Sequence, residues 1–331
     1  MKPEAIKRAV THLVEERVPI FLWGPPGIGK SSIVRQIAQE KGIGFIDLRL
    51  SLLDPTDLRG IPFFDSGTRQ AVWAPPAFLP QEGSGILFLD ELNSAAPTVQ
   101  ASAYQLILDR RIGEYELPAR WAIVAAGNRE TDRGVVYRMP APLANRFVHL
   151  EMETDVAQWC RWAMAQGIDP TIVGFVKNRP DALFAFDPAS AHRSFATPRS
   201  WEYADRIIRS TPEEELLMPL IAGAIGEELA AEFLSWREAA GELPDIEGIL
   251  RGETVTIPEE PNALYLLASL LLHRITPETP VQTLDALLAF VMRLPPEFSV
   301  MVVKGLQHKG VLLEKSKRFK AWIARFAHLL R

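Results

Sequence analysis

The residues best suited to chemistry in this sequence lie in the stretch GPPGIGKS, from Gly24 to Ser31, which fits the pattern G-x-x-x-x-G-K-[ST] completely. Glycines let backbone N–H groups of such a loop surround phosphate oxygens, and the following helix adds the positive end of its dipole. We expect Lys30 to reach the β- and γ-phosphates of a nucleotide and the Ser31 hydroxyl to ligate Mg²⁺. The predicted nucleotide-binding residues are Gly24, Pro25, Pro26, Gly27, Ile28, Gly29, Lys30, Ser31 and Ser32.

Polar groups follow two further apolar runs. Asp90 and Glu91 come after Ile86–Leu89, and Asn128 ends the run WAIVAAGN. Ligands of open α/β sheets bind at the carboxyl ends of the strands, so we expect Asp90 to hold Mg²⁺ and Glu91 to polarise an attacking water. Asn128 is expected to bind the γ-phosphate or the water. The alternatives are a strand that ends in solvated acids and a turn-forming asparagine.

The elements that must position these groups are strands alternating with helices. Apolar runs predict strands at 18–23, 44–50, 85–91 and 121–128, and helices at 1–17, 31–42 and 98–110. This alternation predicts an α/β fold whose mostly parallel sheet is covered by helices on both faces. From about residue 151 only helical periodicity remains, so the α/β domain is expected to end near residue 150.

Composition and charge disfavour several classes of protein. The 331 residues are 47% hydrophobic and 23% charged, which is typical of soluble globular proteins. A net charge of −5 disfavours a nucleic-acid binder. The single cysteine, Cys160, cannot form an internal disulfide and fits a reducing compartment. The N-terminal segment lacks the features of a signal peptide, and the longest apolar stretch, Ala263–Leu272, is too short to cross a bilayer. We therefore expect a cytoplasmic protein without a transmembrane segment.

Several ordered motifs together resemble an AAA+ ATPase of the MoxR type, over roughly residues 18–205. They are GPPGIGKS, LFLDELNSAAPTVQASAYQLILDRRIG, AIVAAGN and PLANRF. The resemblance implies that the nucleotide is ATP. It also implies three domains: a P-loop AAA+ core at 1–150, a helical lid at 151–210 and a C-terminal helical region at 211–331.

The same resemblance assigns expected roles to an asparagine and two arginines. It implies that Asn128 is a sensor-1 residue, that Arg199 in ATPRSW is a sensor-2 residue of the lid, and that Arg146 in PLANRF is an arginine finger. A guanidinium from a neighbouring chain stabilises the charge of phosphoryl transfer, so hydrolysis would depend on assembly, and the family implies a hexameric ring. Arg133 and Arg138 are alternatives for the finger.

Three functions are consistent with these features. The favoured one is a ring-forming, Mg²⁺-dependent ATPase that remodels or activates a protein partner, since MoxR-type chaperones often act with a protein bearing a von Willebrand A domain. A nucleic-acid motor or loader built on the same core is the second, and the acidic net charge makes a nucleic-acid partner unexpected. The third is a regulatory switch that binds the nucleotide with little turnover.

Two surfaces have open interpretations. The pieces Ile61–Phe64 and Ala71–Trp73 predict a β-hairpin, and Leu58, Arg59, Phe63 or Phe64 is expected to grip a partner near the central pore that the family implies. The alternative, which the sequence alone favours, is that Phe63, Phe64 and Trp73 pack the hairpin onto the domain. The tail KSKRFKAWIARFAHLLR has Phe319, Trp322, Ile323, Phe326 and Leu330 on one helical face. Its basic residues indicate either an anionic partner or, as we favour, the solvated face of a docked helix.

Overall fold

The structure, a computed structural model, describes residues 1–67, 69–132, 137–190, 192–210, 213–239 and 243–326. The chain divides into two units. The first comprises Met1–Asp155 with Asp187–Ala191, and the second comprises Val156–Phe186 with His192–Arg331. The first unit contains the sheet, and the second is helical.

The helices and strands are as follows. The strands are β1 Ile20–Trp23, β2 Gly44–Arg49, β3 Ile61–Asp65, β4 Gln70–Ala74, β5 Gly85–Asp90, β6 Arg111–Ile112, β7 Tyr115–Glu116, β8 Trp121–Gly127 and β9 Val148–Glu151. The helices of the first unit are α1 Pro3–Glu15, α2 Lys30–Lys41, α3 Pro55–Arg59, α4 Pro97–Asp109 and α5 Ala141–Ala144. The helices of the second unit are α6 Val156–Ala165, α7 Pro170–Asn178, α8 Pro198–Arg209, α9 Glu214–Ile225, α10 Glu227–Ala239, α11 Ile246–Arg251, α12 Pro261–Arg274, α13 Val281–Val291, α14 Pro296–His308 and α15 Lys317–Phe326.

The central sheet confirms the predicted fold class. Its strand order is β2-β5-β8-β1-β9, and every pairing in it is parallel. β5 and β8 are buried along almost their whole length, as their apolar sequences require for strands covered on both faces. Because the strands are parallel, the segments after β1, β5 and β8 all leave the sheet at one edge, where open α/β sheets bind ligands.

Three features of the fold differ from what the sequence indicates. β9 is not predicted, because its four residues alternate between intermediate and high exposure and give no clear apolar run. The sequence predicts a loop over 241–258, but α11 lies within this segment; residues 241 and 242 are outside the described ranges. The sequence also places Ile6, Ala9, Val10 and Leu13 on one face of the first helix, whereas the buried residues of α1 are Ile6, Val10 and Val14.

The described residues of the second unit form two hydrophobic cores. One core contains residues from α6 to α10, with Ile208 and Ile221 on either side of the predicted boundary at 210, and Leu266 from α12. The other core joins α11 to α15 and includes Leu267 from the next position of α12. α12 therefore contributes to both cores. The division into domains at 150 and 210 stays a prediction.

The C-terminal helix α15 packs its apolar face into the second of these cores. Phe319, Trp322 and Phe326 are buried there, and the Trp322 indole Nε1 donates a hydrogen bond of 2.8 Å to Ser299 Oγ. Ile323 was predicted on the same face but is 40% exposed, and Leu330 lies outside the described residues. The docked helix is thus the interpretation that the structure favours. In the described part of the chain, no helix combines the length and apolar character needed to cross a membrane.

Trp322→Ala should destabilise the second unit by about 3–5 kcal/mol, because it opens a cavity and leaves Ser299 without its donor. We expect a lower midpoint in urea unfolding followed by circular dichroism. The control is Ile323→Ala on the exposed side of the same helix, which should change the midpoint little. Equal losses for the two variants would contradict the observed docking of α15.

Candidate functional site

The predicted phosphate loop connects β1 to α2, and its glycines are required by the backbone. Gly27 and Gly29 have φ values of 78° and 97°, which favour glycine. At Gly24 a Cβ would lie 2.5 Å from Ile28 Cδ1 and 3.1 Å from the carbonyl oxygen of Met152. The loop is therefore a tight turn in which three residues have no side chain. Its backbone N–H groups can thus approach phosphate oxygens closely, as a phosphate-binding loop requires.

The start of α2 completes this cradle. Its N-cap residue is Gly29, which has no side chain to accept from the first-turn amides, and the first turn contains no acidic residue. The N-terminal amides and the positive end of the helix dipole are thus available to an anion. Ser31 lies in this turn and is half-buried, while Ser32 is exposed.

Lys30 joins the loop to a second strand end. Its Nζ donates hydrogen bonds to the carbonyl oxygens of Gly24 at 2.6 Å and Pro25 at 3.0 Å, and to Asn128 Oδ1 at 3.2 Å. Asn128 directly follows β8, which pairs with β1 in the register Trp23↔Gly127. The structure therefore brings Lys30 and Asn128 together at the carboxyl edge of the sheet.

The predicted carboxylate pair lies at the end of the next strand, β5. Burial raises the pKa of the Asp90 carboxyl, and the nearby Lys30 ammonium acts in the opposite direction. Asp90 Oδ1 also accepts a hydrogen bond of 2.9 Å from the Glu91 amide. Glu91 itself has a φ of 56°, a left-handed conformation that costs a non-glycine residue about 1–2 kcal/mol. Such strain is characteristic of functional sites.

Two polar residues for which the sequence indicates no role, Ser51 and Asn93, hold this site together. The Ser51 hydroxyl, two residues after β2, donates a hydrogen bond to Glu91 Oε2. The buried Asn93 donates from its side-chain Nδ2 to the backbone carbonyl oxygen of Asn128 at 2.7 Å. The backbone carbonyl oxygen of Asn93 accepts from the Tyr137 amide, also at 2.7 Å. Both residues follow predicted strand segments, but their contacts depend on strand order, which those segments do not specify.

Gly127 is required for this arrangement. A Cβ at Gly127 would lie 2.0 Å from Asn93 Oδ1 and 2.8 Å from Phe21 Cζ. Asn93 can therefore reach across to Asn128 only because the last residue of β8 has no side chain.

Of the predicted arginines, two are exposed in the first unit, one lies outside the described ranges and one belongs to the second unit. Arg146 follows α5 and precedes β9; its side chain is exposed, as is that of Arg138. Arg133 lies outside the described residues. Arg199 is exposed near the start of α8 in the second unit, and its sensor-2 role stays a prediction.

A nucleoside triphosphate and Mg²⁺ fit the residues of this edge. The uncapped helix start and the Lys30 ammonium are suited to phosphate oxygens. Asp90 is a half-buried carboxylate whose pKa is raised by burial more than the Lys30 ammonium lowers it, which suits a divalent cation. Among the described residues, no group of three or more His, Cys, Asp and Glu side chains could hold a metal ion. A cation here would therefore need phosphate oxygens and the Ser31 hydroxyl besides Asp90.

Comparison with known proteins agrees with this geometry. The sequence profile of the ATPase family associated with various cellular activities (AAA) matches residues 20–152. Protein MoxR of Methylorubrum extorquens is 25% identical over 149 residues, which are 43% of this chain and 42% of that protein. Protein MoxR of Paracoccus denitrificans is 26% identical over 140 residues, 41% of each chain. The alignments thus span about two fifths of the length of these curated relatives.

Among solved structures, a mutant of RuvB from Thermotoga maritima is 19% identical, with 81% of this chain and 82% of that chain covered and a TM-score of 0.43. A likeness at this TM-score bears on neither the site nor the activity. The profile match covers β1, the phosphate loop, β5, β8 and β9, which are the elements that build the site. Residues 20–152 are therefore an AAA ATPase domain, and two MoxR proteins are similar to about two fifths of the chain.

Proposed function

We propose that this protein hydrolyses ATP with Mg²⁺, in a ring of copies of itself, and uses the hydrolysis to remodel or activate a protein partner. The observation that carries the proposal is the Lys30 ammonium, which bonds to the loop carbonyls and to Asn128 at the edge where Asp90 and Glu91 end β5. A phosphate-binding loop, a carboxylate pair and a polar amide at one edge are the parts needed for phosphoryl transfer to water.

Each group at this edge has a proposed role. Lys30 exchanges its carbonyl partners for the β- and γ-phosphate oxygens, and the start of α2 binds the remaining phosphate charge. Glu91 accepts the proton of the attacking water, which Asn128 helps to orient. Ser31 and Asp90 would hold Mg²⁺, which neutralises charge on the phosphates when bound.

Arg146 is proposed to act on the site of a neighbouring copy. It is exposed, and its guanidinium forms no ion pair with any residue that the structure describes. A guanidinium that reaches a neighbour's phosphates stabilises charge that develops in the transition state, so hydrolysis would require assembly. The family resemblance suggests six copies per ring.

Glu91→Gln should lower the rate of ATP hydrolysis by about 100-fold or more, because it removes the general base while keeping the shape of the side chain. ATP binding should persist, since Glu91 is not part of the phosphate cradle. Steady-state phosphate release and retention of radiolabelled ATP on a filter measure the two effects. Glu114→Gln, at an exposed position of the same unit, is the control.

The same comparison separates an enzyme from a nucleotide switch. If the unaltered protein turns over ATP no faster than Glu91→Gln, both alone and with candidate partners, the enzymatic proposal fails. Stimulation of hydrolysis by DNA, and not by a captured protein, would favour a nucleic-acid motor instead. The ATP-bound Glu91→Gln form is also the reagent with which to capture a protein partner, including one with a von Willebrand A domain.

Ser51→Ala should lower kcat about five-fold with little change in KM, because its hydroxyl orients Glu91 and does not belong to the phosphate cradle. In a Glu91→Gln background the same substitution should have no further effect, since the bond it removes acts through the carboxylate. Ser66→Ala, at an exposed turn, is the control. A rise in KM alone would show that Ser51 acts on nucleotide binding.

The hairpin β3–β4 provides the surface proposed to grip the partner. Ile61, Phe63 and Phe64 are 72%, 52% and 70% exposed, and exposed apolar side chains grouped in this way mark contact sites. One earlier candidate was wrong: Leu58 is fully buried against the core of the first unit and cannot contact a partner. The exposure of both phenylalanines supports contact with a partner over packing onto the domain.

Replacement of Phe63 and Phe64 together by Ala should abolish action on the partner while leaving basal ATP hydrolysis within about two-fold, because the hairpin is separate from the residues that bind phosphate. Binding of the captured partner and phosphate release are the two measurements. Phe78→Ala is the matched control, since Phe78 is also exposed but lies outside the hairpin. Loss of both activities, or of neither, would contradict the proposed role.

A further inference from the structure

The ring of His149 connects two segments that the proposed reaction uses separately. His149 lies in β9, at the outer edge of the sheet, directly beside Phe21 of β1 in the register of the two strands. Its ring contacts the end of β1, from which the phosphate loop begins, and the turn that carries Arg146. The catalytic roles proposed above leave His149 without a function.

Two hydrogen bonds fix the state of this ring. The Trp23 indole can only donate, and its Nε1 lies 2.8 Å from His149 Nδ1, so Nδ1 must be the unprotonated acceptor. Nε2 then carries the ring hydrogen and donates to the carbonyl oxygen of Ala144, at 2.8 Å. In this arrangement the exposed His149 ring bridges Trp23 and Ala144 with one acceptor and one donor.

Aromatic contacts hold the bridge in place. The rings of Trp23 and His149 lie edge to edge with an interplanar angle of 23° and centroids 5.9 Å apart, and Phe21 lies 4.2 Å from Trp23 between ring centroids. Phe147, the residue after Arg146, packs edge-on against Phe21 at 5.5 Å. These four side chains therefore form one cluster across β1 and β9.

The two ends of the bridge contact the residue before the phosphate loop and the turn that carries Arg146. Trp23 immediately precedes Gly24, the first residue of the phosphate loop. The Ala144 carbonyl also accepts from the Phe147 amide at 3.2 Å, and the Arg146 amide donates to Leu143 at 3.1 Å, so this carbonyl belongs to the turn that carries Arg146. A displacement of Trp23 would therefore be transmitted through His149 to that turn.

We propose that His149 is a positioning residue that couples the phosphate loop of one copy to the arginine that the same copy presents to its neighbour. The proposal rests on the proposed trans role of Arg146. His149 touches neither nucleotide nor water in it. Instead it fixes the turn 144–147 relative to Trp23. The conformation of a copy's own phosphate loop then determines how well its Arg146 is placed to stabilise the transition state in the neighbouring copy.

The test uses two inactive variants that complement each other in mixed assemblies. The first variant, Arg146→Ala, keeps its own site and lacks the arginine. The second, Glu91→Gln, keeps the arginine and cannot hydrolyse. Each alone should be nearly inactive, and mixing them should restore hydrolysis at Arg146→Ala sites that lie next to a Glu91→Gln copy.

His149→Asn is then introduced into one partner at a time. The asparagine oxygen can still accept from Trp23, but the donor to Ala144 is lost. In the Glu91→Gln partner, which supplies the arginine, we expect restored kcat to fall about three- to ten-fold, the effect of one net hydrogen bond. In the Arg146→Ala partner the same substitution should change it less than about two-fold, which makes this the matched control for stability and assembly.

Each result is decisive. Equal losses in both positions would show that His149 supports its own copy's site or fold, and would overturn the coupling, as would no loss in either. If the unsubstituted mixture restores nothing, the trans role of Arg146 fails, and the coupling fails with it. In His149→Gln the amide nitrogen can reach Ala144, but no acceptor remains for Trp23. This variant should also lower the restored kcat more in the Glu91→Gln partner than in the Arg146→Ala partner. An undiminished kcat with His149→Gln would exclude Trp23 from the coupling.

Discussion

The hydrogen bonds of the Lys30 ammonium are the interaction on which the rest of the site depends, because they join the phosphate loop to the end of a different strand. Nζ bonds to two carbonyl oxygens of the loop and to Asn128 after β8. This contact is possible only because β1 and β8 are parallel neighbours and Trp23 pairs with Gly127. A shift of one residue in that register would move Asn128 out of reach. The geometry of the site therefore depends on the order and register of the strands as well as on the loop.

The balance of charge at this edge explains why an anion and a cation would bind together. The start of α2 and Lys30 are positive, and Lys30 is close enough to Asp90 to act on its pKa although β8 lies between β1 and β5 in the sheet. Burial raises the pKa of Asp90 because the carboxylate is poorly solvated, and Lys30 compensates only in part. If phosphates drew Lys30 away from this edge, the uncompensated charge on Asp90 would increase. A divalent cation bound between Asp90 and the phosphates would compensate both groups, which favours joint binding of nucleotide and Mg²⁺.

The sequence analysis predicted the loop, the carboxylate pair and the class of fold, because each depends on residues close together in the chain. Gly27 and Gly29, for example, specify their own positive φ values. It could not predict the bond of Ser51 to Glu91 or that of His149 to Trp23, because these partners lie 40 and 126 residues apart and are brought near only by strand order. Leu58 was predicted to contact a partner but is buried. Its helix has only five residues, too few for their pattern to indicate which side chain faces the core.

The strand order also separates the parts of the proposed reaction within one copy. In β2-β5-β8-β1-β9, the carboxylates and Asn128 follow strands on one side of β1, while Arg146 precedes β9 on the other. β1 thus pairs both with β8, which ends before Asn128, and with β9, which Arg146 precedes. Any influence of a copy's own phosphate loop on its exposed arginine has a short path through β1 and β9, and Trp23 and His149 are the side chains that bond across it. In this arrangement each active site is divided between two copies. The phosphate loop of a copy can nevertheless control the position of the Arg146 that the same copy presents to its neighbour.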